Sequence, residues 1–390
     1  AIPGAPVDGT LNLPTVPRRG AAMQAAMNSQ DGWSTNSSLT TGFSLPLDPA
    51  SISAGSVKIV KLWLDPTTKA PATNPAFLPT GATSPVAGVL TYGTDFTADV
   101  SPDFDSGGTF LRITPLKPLA FSSGPAVNDS GPNIGKVLNV GYLVVLTDGL
   151  KATNGSTMGA STLYASFKSA PADCSTITDA TLNGLCRITK GHLGIAQAAT
   201  ATSPASVILT WSFSTQSIDD VLDVISKIAT PQQTLIGPSG LTTAAIGAAG
   251  KADIYVGSTK LPYYLTPPAS PTDSAAVLTK FWTAAGPSQV PGIDATSRNL
   301  TMFNPVPAKV ADVTVPIVVT IPNAASACPG KPTAGWPVAI VQHGITGNRG
   351  QALTMADAYA DACFIVVAMD LPLHGIIQGD PTFGALYCSP

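Results

Sequence analysis

The chain has 390 residues, of which 36 are glycine and 36 proline, and only 11% are charged, where a typical soluble domain carries about 25%. A formal charge of −3 gives no electrostatic footprint for nucleic acid, and an apolar content of 44% excludes a wholly disordered chain. No apolar run approaches the roughly 18 residues of a membrane-spanning helix, and the glycines follow no collagen period. What remains is a globular, turn-rich and strand-rich protein of two or three domains.

Residues 1–39 read as a Pro- and Gly-punctuated extension with one short helix near Ala21–Met27. The opening Ala1-Ile-Pro-Gly reads like a mature N-terminus. Strand signals follow in Val57–Leu64, Thr109–Thr114 and the β-branched run Val137–Leu146, each bounded by Pro or Gly turns. They predict a β-sandwich over about 40–150. Residues 151–200 show little periodicity. Ser206–Phe213 reads as a further strand that closes a β-rich module spanning 40–215.

The clearest helical pattern is Ile218, Val221, Leu222, Ile225 and Ile228, an apolar stripe expected to face the core. Ser217 is its expected N-cap, with Asp219 and Asp220 at the positive end of the dipole. This helix and a Gly/Thr/Ala-rich linker occupy 216–250. From 251 onward Ile254–Val256 and Val313–Ile321 read as strands, separated by a Pro/Ser-rich connection. Val338–Val341, a Gly-rich turn, a helix over about Gly350–Ala362 and the run Phe364–Met369 form a βαβ pattern. That pattern goes with a parallel pair and a crossover helix.

Five cysteines are present, at 174, 186, 328, 363 and 388, with no CxxC pair, so no zinc site is expected. A local Cys174–Cys186 disulfide is predicted, and one of the last three cysteines is left over. The disulfide and the low lysine content point to an extracellular or cell-surface protein. Asn36, Asn128, Asn154 and Asn299 head glycosylation sequons, relevant only in a eukaryotic secretory host. Asp103-Phe-Asp105-Ser-Gly-Gly108 lacks the twelfth-position Glu of a calcium loop and reads as an acidic turn. Tyr263, Tyr264, Phe281 and Trp282 read as packing residues before pocket residues.

Ligands of open α/β sheets bind outside the carboxyl ends of the strands. Two such ends are visible, His343-Gly-Ile-Thr-Gly347 and Asp370-Leu-Pro-Leu-His-Gly375, and both are expected to open on one side. Gly344 lets a ligand approach the backbone. The N–H groups that follow lie ahead of a helix, where donors are unsatisfied and the dipole is positive. Such donors stabilise the oxyanion of acyl transfer. The dinucleotide and phosphate-loop motifs, GxGxxG and GxxxxGK[ST], are absent.

These two turns resemble the corresponding region of α/β-hydrolase esterases. The stretch Gln342–Arg349 with Asp370–Gly375 is similar to bacterial extracellular lipases of the virulence-factor type. Asp8-Gly-Thr-Leu-Asn12, Asp31-Gly-Trp-Ser34 and Trp211-Ser-Phe-Ser-Thr-Gln216 resemble the Ig-like N-terminal region of those lipases, so the resemblance spans most of the chain. It implies a mixed fold: an Ig-like β-sandwich followed, over 251–390, by the first strands of an α/β-hydrolase domain. It further implies Gly344 and Ile345 as oxyanion-hole backbone donors, His343 as loop support, and Asp370 and His374 as residues that fix the second turn. The substrate would be a lipid or another acyl ester, polymer esters included, with no metal or organic cofactor. One element departs from the pattern: no serine stands in GxSxG. The remaining histidine, His192, lies upstream of the oxyanion strand and is not placed as a base. Too few residues follow Gly375 for the next helix, strand and elbow. The catalytic Ser, acid and His are therefore expected outside this chain, in a longer parent or a second chain. A hydrolase sheet stopped after four strands would expose an apolar edge. A different class, a non-catalytic surface or adhesion protein with a degenerate hydrolase-like end, also fits these residues.

Overall fold

A computed structural model describes residues 7–13, 20–102, 109–266, 269–270, 273, 279–288, 290–372 and 374–376. The acidic turn at 103–108 and Cys388 lie outside them. The chain forms two compact units: 1–228 with 284–307, and 229–283 with 308–390. The break falls at 229, not 251, and the segment 284–307 packs with the first unit although it lies between two strands of the second.

In the first unit a short helix α1 (Ala21–Asn28) precedes strands β1 (Leu39–Gly42), β2 (Val57–Leu64), β3 (Val86–Val89), β4 (Phe96–Pro102), β5 (Thr109–Pro115) and β6 (Asn139–Thr147). Helices α2 (Thr162–Ser169) and α3 (Ala180–Thr200), strand β7 (Val207–Ser214) and helix α4 (Asp220–Ile228) follow. Two antiparallel sheets result, in the orders β1-β5-β4 and β3-β2-β6-β7. They share one core, in which Phe96, Leu111 and Ile113 of the first meet Ile59, Tyr142 and Val144 of the second.

Strand β6 is buried along its whole length because both of its faces are covered. Its period of two sends Val140, Tyr142, Val144 and Leu146 into the inter-sheet core. Leu143 and Val145 go to the opposite face, where Tyr164 of α2 and Leu193 and Ala196 of α3 pack. Helix α3 arises in the stretch that shows little sequence periodicity. Asp179 caps it by accepting the Leu182 N–H at 2.8 Å. Cys186, Thr189, His192, Leu193 and Ala196 form its buried stripe. Three glycines within it weaken its intrinsic propensity, and packing on the sheet supplies the stability instead.

Two expectations for α4 fail. The buried residues of the helix are Asp220 and Val224, while Ile218, Leu222 and Ile228 of the apolar stripe are exposed. Ser217 does not cap it: both its N–H and its hydroxyl donate to Asp31.

The second unit holds β8 (Thr234–Thr242), β9 (Ala252–Tyr263), β10 (Ala311–Pro322), β11 (Val338–Gln342), helix α5 (Leu353–Asp361) and β12 (Ile365–Met369). They form one five-stranded sheet in the order β11-β12-β10-β9-β8. Strand β8 occupies the stretch expected to be a linker. Only β11 and β12 run parallel, and α5 makes the crossover between them. Ala352, Val366 and Ala368 pack with Ala339, Val341 and Tyr359 on the face that α5 covers.

Disulfides join Cys174 to Cys186 and Cys328 to Cys363. The first was expected; the second ties the β10–β11 connection to the turn ahead of β12. Two disulfides fit a secreted or extracellular protein. No described helix is long and apolar enough to cross a membrane.

Candidate active site

Strands β11 and β12 lie side by side in parallel, so their carboxyl ends open at the same end of the sheet. The turns 343–349 and 370–375 therefore meet, and each reaches into the other. His343 is buried; its Nδ1 lies 2.8 Å from the Gly344 carbonyl, and its Nε2 accepts the Leu371 N–H at 3.1 Å. His374 does the converse: its Nδ1 faces the Pro372 carbonyl at 2.9 Å, and its Nε2 accepts the Thr346 N–H at 3.1 Å. The two imidazoles stand 5.1 Å apart.

These partners fix both tautomers. A carbonyl beside Nδ1 requires a proton there, and an N–H aimed at Nε2 requires a lone pair. Both rings are thus neutral Nδ1–H imidazoles in this arrangement.

Arg349 and Asp370 lock the base of the two turns. The Arg349 N–H donates to Asp370 Oδ1 at 2.7 Å, and its guanidinium pairs with Asp370 Oδ2. Both side chains are almost fully buried. Asn348 caps the single 3-10 turn at 349–352 that leads into α5, accepting the Gly350 N–H. Arg349 carries no signal in the sequence beyond its place in the motif, because its partner lies 21 residues away.

The Gly347 N–H bonds back to the Gly344 carbonyl, closing a tight turn, and Thr346 takes a left-handed φ of 67° to make it. Gly344, Ile345 and Thr346 are all exposed at this turn. Among the described residues the N–H groups of Gly344 and Ile345 have no hydrogen-bond partner, whereas that of Thr346 is taken by His374. No atom of the described residues lies within 4 Å of the position a Gly344 Cβ would occupy, so none of them covers that peptide. The five residues singled out from the sequence, 343, 344, 345, 370 and 374, come together here. The arrangement can offer two adjacent backbone donors to an anionic oxygen.

A second polar cluster lies on the face of β7 covered by α3. The Nε2 of His192 stands 3.1 Å from Ser212 Oγ, and its Nδ1 stands 3.2 Å from Thr210 Oγ1, which also meets the Tyr164 hydroxyl at 2.8 Å. A serine beside a histidine invites a nucleophile–base reading. The third position, however, holds a threonine hydroxyl and no carboxylate. Burial pushes the His192 pKa down to about 4, so the ring resists taking up a serine proton. It is a satisfied core histidine.

Near it, a cavity of about 180 Å³ is lined by Gly9, Asn12, Trp33, Lys69 and Ser212, among others. This is smaller than the roughly 300 Å³ at which ligand pockets begin. Burial lowers the Lys69 pKa to about 8, offset by the charges of Asp31, Asp8 and Asp65. Among the described residues no group of three or more His, Cys, Asp or Glu could hold a metal ion.

Tyr264 and Trp282 pack on each other with ring centroids 5.2 Å apart, while Phe281 is exposed. Comparison with protein-family models, with curated proteins and with solved structures found no match in any of the three.

Proposed function

We propose that this chain is the front portion of a carboxylic-ester hydrolase, an Ig-like accessory module followed by the oxyanion side of an α/β-hydrolase domain. The observation that carries the reading is the pair of exposed N–H groups of Gly344 and Ile345, without a partner among the described residues, at the carboxyl end of a parallel strand. In acyl transfer a serine hydroxyl adds to the ester carbonyl as a histidine takes its proton. The carbonyl oxygen becomes an oxyanion, which the two N–H groups hold. Collapse expels the alcohol, protonated by the same histidine, and leaves an acyl-serine that water then hydrolyses to the acid. The substrate class is an acyl ester, lipid or polymer, and the site is extracellular.

The serine, acid and histidine of that chemistry come from polypeptide outside this chain. The outer edge of β11 supports such an addition. Among the described strands it lies at the end of the sheet, and Val338 and Ile340 are exposed on it. An unpaired apolar edge is a template for a further strand.

The deciding experiment is denaturing intact mass of the purified protein with and without a fluorophosphonate probe. Label on a second or longer polypeptide, with this chain in the same complex, supports the hydrolase. A 39.5 kDa species alone and unlabelled favours a non-catalytic surface-binding protein. Label at Ser212 would move the chemistry to the first unit and overturn the reading.

A further inference from the structure

The two turns of the candidate site are joined by crossed bonds of identical type. The histidine of the first turn accepts a backbone N–H of the second, and the histidine of the second accepts one of the first. We infer that His343 and His374 form a proton-sensitive clasp that positions the oxyanion loop: with both rings neutral, Thr346 is held back and, of the consecutive peptides 344–346, only Gly344 and Ile345 present N–H groups, and protonation of either ring releases the loop. This inference rests on the proposed oxyanion role for those two peptides, and it adds the withdrawal of Thr346 and a means of regulation.

The physical reason is the absence of slack. Each imidazole already uses Nδ1–H on a carbonyl of its own turn. Its Nε2 is the sole acceptor for the facing N–H. A proton on Nε2 replaces a lone pair with a second donor and sets N–H against N–H. It also places a cation 5.1 Å from the other ring. The charged groups around the two rings already have partners of their own. The charged residues of the two turns are Arg349 and Asp370, which neutralise each other. On α5, Asp357 is engaged by Thr243, Ala249 and Lys251, and Asp361 by Lys251 and Ala327. On β10, Asp312 pairs with Lys309. Strands β11 and β12 bring no other charge.

His343 and His374 are thus positioning residues that act through Thr346 and Leu371. Gly344 and Ile345 are the groups that would touch substrate.

The test reads amide exchange and histidine nitrogen shifts by NMR, and needs no catalysis. At pH 8 both rings should show the Nδ1–H tautomer. The Thr346 and Leu371 amides should be protected at least about tenfold over Gly344 and Ile345 after correction for intrinsic rates. Between pH 8 and pH 5, the interval in which histidine changes charge, that protection should be lost at both amides together. His374→Gln offers an uncharged acceptor in the place of Nε2. It should keep Thr346 protected at pH 8 and remove the acid sensitivity, whereas His374→Ala should lose protection at every pH. Thr346 exchanging as fast as Ile345 at pH 8 in the unmodified protein overturns the clasp. Protection that persists unchanged to pH 5 overturns the proton gate. A clasp that behaves as described in a protein that no fluorophosphonate labels would leave this inference standing while the hydrolase reading fell.

Discussion

Asp31 takes both polar hydrogens of Ser217, the backbone N–H at 2.9 Å and the hydroxyl at 2.6 Å. The same carboxylate accepts the Met302 N–H at 2.9 Å. One buried acidic side chain thus joins the N-terminal segment, the entry to α4 and the segment 284–307 of the first unit. Hydrogen bonds to a charged group contribute about 1.5–3 kcal/mol each, and orphaned buried donors add a penalty. Asp31→Ala is expected to lower unfolding free energy by at least about 3 kcal/mol, read as a shift in the urea midpoint. Asp31→Asn, which keeps an acceptor, should lose less.

Gly32 and Gly184 are expected to respond to alanine in opposite directions. A Cβ at Gly32 would lie 2.3 Å from the Thr215 carbonyl carbon, which is backbone and cannot rotate away. Gly32→Ala should destabilise by more than about 2 kcal/mol. Gly184 lies inside α3 with nothing within 4 Å of its Cβ position. Gly184→Ala should therefore stabilise by up to about 1 kcal/mol. Thermal unfolding of both variants checks the pair of signs.

Asp220 and His192 titrate abnormally with opposite consequences. Burial pushes the Asp220 carboxyl up to about 6 from 3.8. Its favourable contribution is full in acid and is lost as pH rises through about 6. Burial pushes His192 down to about 4 from 6.5. The unfolded chain then binds the extra proton first, so stability is lost as pH falls from about 6.5 toward 4. Relative to the unmodified protein, Asp220→Asn should gain about 3 kcal/mol between pH 4 and pH 7. His192→Gln should lose about the same over that interval. Parallel denaturation curves at the two pH values would refute both assignments.

The two disulfides close loops of unequal length, with sequence separations of 12 and 35. Loop entropy in the unfolded chain gives about 3 kcal/mol for the shorter and about 4 for the longer. Replacing Cys328 and Cys363 by serine is expected to destabilise more than replacing Cys174 and Cys186, as measured by denaturant titration of each double variant.

Ile345 contributes a peptide N–H and a side chain that is 89% exposed. In the assembly proposed above, if a fluorophosphonate labels it, Ile345→Ala should leave ester hydrolysis nearly unchanged. Ile345→Pro removes the donor and should lower kcat roughly 10²–10³-fold, with far less effect on KM. Equal activity of the two variants would remove Ile345 from the donor pair.

Strands were legible wherever a period of two or a β-branched run met Pro or Gly punctuation: β2, β5, β6, β7 and the β11–α5–β12 unit stand where the pattern put them. Helix α3 and strand β8 were not. Glycine and threonine dilute the signal in α3, and its buried stripe includes polar Thr189, whose hydroxyl donates to the Leu185 carbonyl one turn back, and His192, whose partners lie on the sheet. In β8 the exposed Leu235 and Ile236 leave no alternation to read. The stripe of α4 was legible, but its orientation was decided by Asp220, whose Oδ1 takes the Gly124 N–H and turns that face inward.

At the candidate site the local sequence by itself determined the two turns, the glycine that opens the first, and the helix behind it, because turn chemistry and capping act within a few residues. It could not determine that His343 bonds Leu371, that His374 bonds Thr346, or that Arg349 is buried against Asp370. Those partners lie 21 to 28 residues apart in the chain and meet only because a parallel ladder brings the carboxyl ends of β11 and β12 side by side. Tertiary structure alone therefore decided that the Thr346 N–H is consumed by His374 while, among the described residues, those of Gly344 and Ile345 have no partner.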